Sequence, residues 1–367
     1  MAIMAGIVGI TNIGKTTIFN ALTSSEVPTS NYTFSSSKAN HAVVNVPDNR
    51  VDEIFNHTTT NRKVYNTLEI MDIAGLVRGA SRGEGLGNNF LGDIKMVDAI
   101  LQVVRCFDDE NVVHVDKTIS PSRDIETIET ELMIKDLETV ENRMRKNEKL
   151  LKSGNKDTIR QQEICNRLKN SLDNLEHPRT LNLSEDELIC IADMNLLSVK
   201  PVIFVANISE EELTSGTESV YTKAVKEYAE QIGTIAVVIC GKVEEEISML
   251  PDEEKVEYLS TYGLTEPGLN HLIRATYNLL GLSTYLTEGE IEVRAWNIRQ
   301  GMTAPQAAGV IHTDFEKKFI KAEVISYEDF KKCDFDRNKA KAQGLARLEG
   351  KEYLVKDGDV IIFKVGK

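Results

Sequence analysis

A chain of 367 residues with 41% hydrophobic content is too long for one ordinary domain and has enough apolar mass for two or three cores. Its 43 Lys and Arg against 57 Asp and Glu leave a formal net charge of −14, which excludes a general affinity for nucleic acid or anionic membrane and leaves only local patches for such contacts. Five scattered cysteines (Cys106, Cys165, Cys190, Cys240, Cys333) without a C-x-x-C imply no disulfide framework and no zinc site, so a reducing cytoplasm is expected, and no stretch approaches a membrane helix.

The first apolar run, Ile3 to Val8, has no basic leader and reads as a core strand, not a signal peptide. It leads into GITNIGKTT, Gly9 to Thr17, which fits G-x-x-x-x-G-K-[ST]. An amphipathic helix follows, so the order is strand, glycine loop, helix. Gly9 and Gly14 let the backbone turn its N–H groups toward phosphate oxygens, and the helix N-terminus adds partial positive charge. The loop from Asn12 and Ile13 through Gly14, Lys15, Thr16 and Thr17 is expected to hold a nucleotide's phosphates. Lys15 is expected to reach the outer ones, and the Thr16 hydroxyl to ligate Mg2+.

Next comes a polar loop, Ser30 to Ser37, and a strand at Ala42 to Val46. One hydroxyl of that loop is expected to complete a magnesium shell; Ser36 is the candidate, with Ser35 and Ser37 beside it. A solvated turn explains a serine cluster equally simply. Leu68 to Asp72 reads as a strand ending in a carboxylate, and Asp72 to Gly75 forms D-x-x-G. There Asp72 would hold a magnesium-bound water and the Gly75 N–H would meet a γ-phosphate. The glycine-dense segment Arg78 to Leu91 is weakly held by its own packing, as a nucleotide-sensing switch requires. Ras-like enzymes place a water-orienting glutamine directly after D-x-x-G; here Leu76 stands in that place. After a buried strand from Ala99 to Val104, His114 lies in a loop, either as a group that positions water or as an exposed histidine without function.

From about Arg123 the pattern changes. Leu137, Val140, Met144 and Leu151, then Ile164, Leu168, Leu172 and Leu175, recur at helical spacing around Ser153-Gly-Asn, which predicts an antiparallel helical hairpin. Arg143, Arg145, Lys146, Lys149, Lys152, Lys156, Arg160, Arg167 and Lys169 make its far end basic against Glu148, Asp157 and Glu163. That end is either an RNA-facing tip or a solvated helix surface. Ser184 to Glu187 is a capping box for a helix through Leu197.

Pro201 to Ala206 resumes the parallel sheet and ends in Asn207-Ile-Ser-Glu210, where guanine-binding switch proteins carry N-K-x-D. Ile208 replaces the lysine and Glu210 the aspartate. Two altered parts of a guanine clamp point to adenine or to relaxed choice. Thr234 to Ile239 is the last strand, and Cys240-Gly241-Lys242 stands where a short base-contacting loop is expected. Helices are predicted around Glu253 to Leu259 and Gly268 to Leu280. A new unit begins near Ser283, with strands at Glu292 to Trp296, Phe319 to Ser326 and Tyr353 to Phe363, the last turning at Asp357-Gly358, and a helix opening at Ala304. This predicts a small mixed β-grasp domain that serves as a binding module.

These strings, together with DIAGLVRGASRGEGLGNNFL from Asp72 and the long run from Arg294 to Phe330, resemble the YchF or Obg-like ATPases over nearly the whole chain. The resemblance implies a Ras-like α/β phosphate-loop core with a mostly parallel sheet over residues 1–281, a helical insertion at about 123–199, and a C-terminal TGS domain over 283–367. It implies ATP preferred to GTP, slow Mg2+-dependent hydrolysis, Asn207, Glu210, Cys240 and Gly241 at the base, and Thr16, Ser36 and Asp72 at the metal. It further implies cytoplasmic association with the ribosome or ribosomal RNA and a role in translation or stress regulation, without membrane contact or DNA specificity. Lys15 and His114 take the catalytic roles, His114 as the group that positions water. The chain departs from the family at Thr11, where proline is usual, and in the first switch. The usual N-Y-P-F-C-T-I-x-P-N there becomes Asn31-Tyr-Thr-Phe-Ser-Ser-Ser-Lys-Ala-Asn40, which keeps a hydroxyl at Ser36.

Overall fold

The computed structural model describes residues 3–24, 40–75, 86–110, 112, 114, 118–152 and 154–366. Its elements run in chain order as β1 (Met4–Val8), α1 (Lys15–Thr23), β2 (His41–Asn45), α2 (Asn49–Asn56), β3 (Lys63–Val64), β4 (Thr67–Asp72), α3 (Leu86–Met96) and β5 (Ala99–Arg105). Then follow α4 (Pro121–Leu151), α5 (Lys156–Asp173), α6 (Glu185–Ile191), β6 (Val202–Asn207), α7 (Glu210–Ser215), α8 (Val220–Gln231) and β7 (Ala236–Ile239). The chain continues as α9 (Gly241–Met249), α10 (Asp252–Thr261), α11 (Gly268–Leu279), β8 (Leu282–Glu288), β9 (Val293–Arg299), α12 (Ala304–Ile311) and α13 (Thr313–Lys317). It closes with β10 (Phe319–Ser326), α14 (Tyr327–Lys332), α15 (Arg337–Ala342), β11 (Arg347–Glu349) and β12 (Asp359–Val365).

Two compact units result, one from Met1–Val44 with Glu69–His271, the other from Asn45–Leu68 with Leu272–Lys367. In the first, the sheet order is β2-β4-β1-β5-β6-β7, and β1 pairs in parallel with both β4 and β5. β5–β6 and β6–β7 are parallel as well. Every residue of β5 and β6 is buried, as expected of parallel strands covered on both faces. The C-terminal ends of β1, β4, β5 and β6 therefore lie along one edge, where doubly wound sheets place their ligands.

The helical hairpin lies between β5 and β6, with Val140 of α4 packed against Ile164, Leu168 and Leu172 of α5. Leu175, read as part of that seam, is 70% exposed. α5 ends at Asp173, and Leu175 takes φ 57°, which removes it from the helical phase. The capping box forms, with Ser184 and Glu187 exchanging bonds, but α6 stops at Ile191. A short 3-10 turn (Ala192–Met194) and Asn195 at φ 47° end the run before Leu197. Glycine-dense sequence up to Leu91 is helical from Leu86, and Phe90 and Leu91 are buried.

The second unit is a mixed sheet, ordered β11-β10-β12-β8-β9-β3, with α12 packed on it. β10–β12 and β8–β9 are antiparallel and β12–β8 parallel. Residues 45–68, which sequence patterning left with the N-terminal domain, pack here: Val51 and Ile54 of α2 join the core with Leu286, Val293 and Phe330. Arg50 pairs with Asp357 at 2.7 Å. β8 and β3 were not anticipated. The expected strand from Tyr353 begins instead at Asp359, with Leu354 making a lone bridge to Thr303. The Asp359 carboxylate accepts from the Lys356 N–H (2.9 Å) and the Tyr353 hydroxyl (2.7 Å), which folds the preceding residues into a turn.

Candidate nucleotide site

Beyond β1 the backbone makes a tight loop into α1. Asn12 takes φ 61° and Gly14 φ 93°. A Cβ at Gly14 would lie 2.3 Å from Asn207 Nδ2 on a backbone at positive φ, and one at Gly9 would lie 2.9 Å from the Val103 carbonyl oxygen, so both positions demand glycine. The Ile13 side chain is buried, which leaves its backbone as the part that faces a ligand. No side chain caps α1, so its first N–H groups are not spent on a cap. Thr16 is exposed and Thr17 half-buried in that first turn.

The Lys15 ammonium is buried and donates to the carbonyls of Gly9 (3.0 Å) and Ile10 (2.6 Å). Burial lowers its pKa from 10.5 to about 8, with the charge of Asp72 pulling the other way. Asp72 ends β4 beside it. Burial raises its carboxyl above the ordinary range, and Lys15 opposes that shift. Asp72 Oδ1 is buried and without a hydrogen-bond partner among the described residues, so a hard cation or its bound water fits there. Among those residues no three His, Cys, Asp or Glu side chains converge on a metal. Gly75 closes over the loop; a Cβ there would sit 3.1 Å from Lys15 Nζ and 3.0 Å from Thr11 Cγ2. The structure thus brings Lys15, Asp72 and Gly75 together. Ser36 and Leu76 lie outside the described residues.

At the far side of the loop Asn207 is a bridge. Its Nδ2 donates to Ile13 O (2.9 Å), and its Oδ1 accepts from the Gly241 N–H (2.9 Å). One buried amide therefore ties the phosphate loop to the start of α9. Cys240 is buried at the N-cap of that helix, so Cys240-Gly241-Lys242 leads directly into a helix that the sequence reading did not contain. Glu210 opens α7. It accepts from Lys242 Nζ (2.8 Å) and Tyr262 OH (2.9 Å), and these two bonds hold its carboxyl below the usual range. Tyr262 was missed, and nothing in its local sequence marks it; the Lys242 partnership required the fold.

His114 is buried, not exposed, and its Nε2 lies 2.9 Å from Asp124 Oδ2 in the first turn of α4. Before it, the fully buried Arg105 donates to the carbonyls of Phe107 (3.0 Å), Asp109 (3.1 Å) and Val112 (2.8 Å), which fixes the path of the chain leaving β5. An arginine closing a strand that is apolar except for Gln102 was the available signal for this role.

In the helical insertion the expected basic end divides. Arg143 pairs with Asp193 (2.7 Å), Arg160 with Asp186 (3.7 Å), Arg167 with Glu187, and Lys169 with Glu141 (2.7 Å). Arg145, Lys146, Lys149, Lys152 and Lys156 have no ion pair among the described residues. The exposed Leu150 and Ile159 stand among them. At the hairpin's base, by contrast, buried Glu129 is held by His177 and Arg179, and Asp136 accepts from Leu197 N, Ser198 N and Ser198 Oγ.

A family model described as 50S ribosome-binding GTPase matches residues 4–146, and the YchF-GTPase_C model, described as a protein of unknown function, matches residues 282–366. The chain is similar to the Ribosome-binding ATPase YchF of Haemophilus ducreyi (47% identical) and of Bacillus subtilis (45%), with 99% of each chain covered in both cases. Among solved structures it is similar to the Schizosaccharomyces pombe YchF GTPase. That match has 36% identity and a TM-score of 0.87, and covers 99% of this chain and 97% of that one.

Proposed function

This chain belongs to the YchF family, and from that premise we propose that it is an ATP-preferring, Mg2+-dependent, slow triphosphatase whose nucleotide state governs association with the ribosome. The single observation that carries the chemical part is the convergence of Lys15, Asp72 and Gly75 on the phosphate loop. The amides from Asn12 to Thr17 hold the phosphate tail. Lys15 exchanges its two loop carbonyls for phosphate oxygens and neutralises charge that develops as the γ-phosphoryl group leaves. Thr16, Ser36 and Asp72 would hold Mg2+, Asp72 through water, and the ion would supply neutralisation of phosphate charge. His114, oriented by Asp124, positions the attacking water, a task that Leu76 has no group to perform.

The nucleotide domain is then built from residues 1–44 and 69–271, with the insertion at about 123–199, and 283–367 act as a TGS binding module whose core also takes in 45–68. Arg145, Lys146, Lys149, Lys152 and Lys156 of the hairpin end, which have no ion pair among the described residues, meet ribosomal RNA through its phosphates. Residues 143–160 carry seven Lys and Arg against two acids in a chain of net charge −14. Residence is cytoplasmic; among the described residues no helix is long and apolar enough to cross a membrane.

Competition of ATP and GTP for the protein, with Mg2+ and with chelator, tests this reading: ATP binds more tightly and both need the metal. Tighter GTP binding would favour a GTPase of the same fold, which the retained Asn207 permits. A third reading makes hydrolysis incidental to nucleotide-gated binding. It requires that Lys15→Ala abolish ribosome binding while His114→Ala slows hydrolysis and leaves binding intact.

A further inference from the structure

The acid of the N-x-x-E string is not presented freely to a base. Glu210 Oε2 accepts from Lys242 Nζ at 2.8 Å, and Glu210 Oε1 accepts from Tyr262 OH at 2.9 Å. The two donors come from different elements. Lys242 is the second residue of α9, directly after Gly241, whose N–H is bound by Asn207. Tyr262 is the residue on which α10 ends. Tyr262 is itself braced: its hydroxyl is 3.4 Å from that of Tyr258, the two rings lie 5.4 Å apart, and Tyr258 in turn donates to Glu246 of α9. The carboxylate is therefore gripped from two directions by groups outside its own motif.

Guanine presents two adjacent donors, N1–H and N2–H, and a carboxylate reads them by accepting both. Here each oxygen keeps a second lone-pair site, but the carboxylate is turned toward two donors from other helices, and one of them is an ammonium whose charge repels a donor edge. Adenine offers an acceptor at N1 and a donor at N6, so it asks for no such pair of free acceptors. We propose that Lys242 and Tyr262 are specificity-determining residues, which hold the Glu210 carboxylate away from a guanine edge and so leave adenine as the favoured base. The inference rests on the ATP preference proposed above and says what enforces it.

Both charges of the Lys242–Glu210 pair are substantially exposed, so the grip is moderate and its release changes affinity severalfold, not by orders of magnitude. The test uses the full chain with Mg2+ and measures dissociation constants for ATP and GTP by displacement of a fluorescent nucleotide. Lys242→Ala with Tyr262→Phe is expected to raise the affinity for GTP relative to ATP by about three- to tenfold. Adding Glu210→Gln to that pair removes the gain, because an amide cannot accept with both ends. Lys242→Met alone, which keeps the aliphatic stem, gives part of the same shift should the tyrosine change impair folding. An ATP preference that survives unchanged in the folded variants overturns the grip alone. So does equal weakening of both nucleotides. A wild-type chain that binds GTP as tightly as ATP overturns the ATP reading and the inference together.

Discussion

The two ends of the nucleotide site are built by different means. At the phosphate end the contacts come from backbone geometry: Gly9 and Gly14 are sterically required, Lys15 is buried against its own loop, and Gly75 passes over it. At the proposed base end they come from side chains of separate elements, Glu210 at the start of α7, Lys242 in α9 and Tyr262 at the end of α10, with Lys242 exposed and Glu210 half-buried. Backbone-built chemistry tolerates almost no substitution and is the same for any triphosphate. Side-chain-built recognition can be retuned residue by residue. Asn207 joins the two, because one amide contacts both Ile13 and Gly241.

The largest effect that separates the two ends is expected from Lys15→Ala. It removes the charged donor at the phosphate end, and ATP and GTP should both lose about ten- to a hundredfold in affinity, from about 1.5–3 kcal/mol for a charged hydrogen bond. Calorimetric titration checks it, and a selective loss of one nucleotide would blur the distinction between the ends. Gly14→Ala comes next. Alanine at φ 93° is strained, and its Cβ displaces Asn207, so urea denaturation should show a loss of about 2–3 kcal/mol together with weakened binding of both nucleotides.

A pH titration sharpens the same contrast. Because Lys15 titrates near 8 in the fold against 10.5 in the unfolded chain, the folded state carries fewer protons between those values. Its contribution to stability therefore rises with pH across that window. Nucleotide affinity should move the opposite way and fall above about pH 8, by up to about tenfold per unit, as the ammonium is lost. An affinity flat from pH 7 to 9.5 would count against the role assigned to Lys15.

The smallest effect belongs behind the base end. Glu244 of α9 accepts from the N–H groups of Gly268 (2.7 Å) and Leu269 (3.3 Å), and burial pushes its carboxyl up from 4.5 to about 7. A raised carboxyl pKa means that the folded chain binds more protons between 4.5 and 7, so this contribution to stability is full below that window and lost as pH rises through 7. Glu244→Gln should flatten the slope of stability between pH 5 and 7 and change the neutral-pH value by about 1 kcal/mol or less. Denaturation midpoints at the two pH values decide it.

Much of the phosphate end was legible because its residues are adjacent in sequence and each is demanded by local geometry. A glycine at φ 93° and a lysine one residue later announce themselves without knowledge of the fold. The D-x-x-G string was legible for the same reason. His114 was legible as a residue and not as an environment: its burial against Asp124 depends on where α4 begins. The basic hairpin end was over-read, since Arg143, Arg160 and Arg167 find acids in and just after α6, which sequence proximity does not reveal. Tyr262 was invisible, because it is 52 residues from Glu210 and touches it only through the order of helices after β7.

Sequence by itself determined the phosphate loop, the parallel strands β5 and β6, the helical hairpin and the family, since each is written in residues close along the chain whose pattern follows from backbone sterics and apolar periodicity. Only the tertiary structure decided that residues 45–68 share a core with the C-terminal sheet, that Asn207 bridges two loops, and that Glu210 is gripped by Lys242 and Tyr262. Those outcomes depend on which surfaces meet once the strands have paired. Pairing between distant segments is set by the summed packing of many residues, which no short string records.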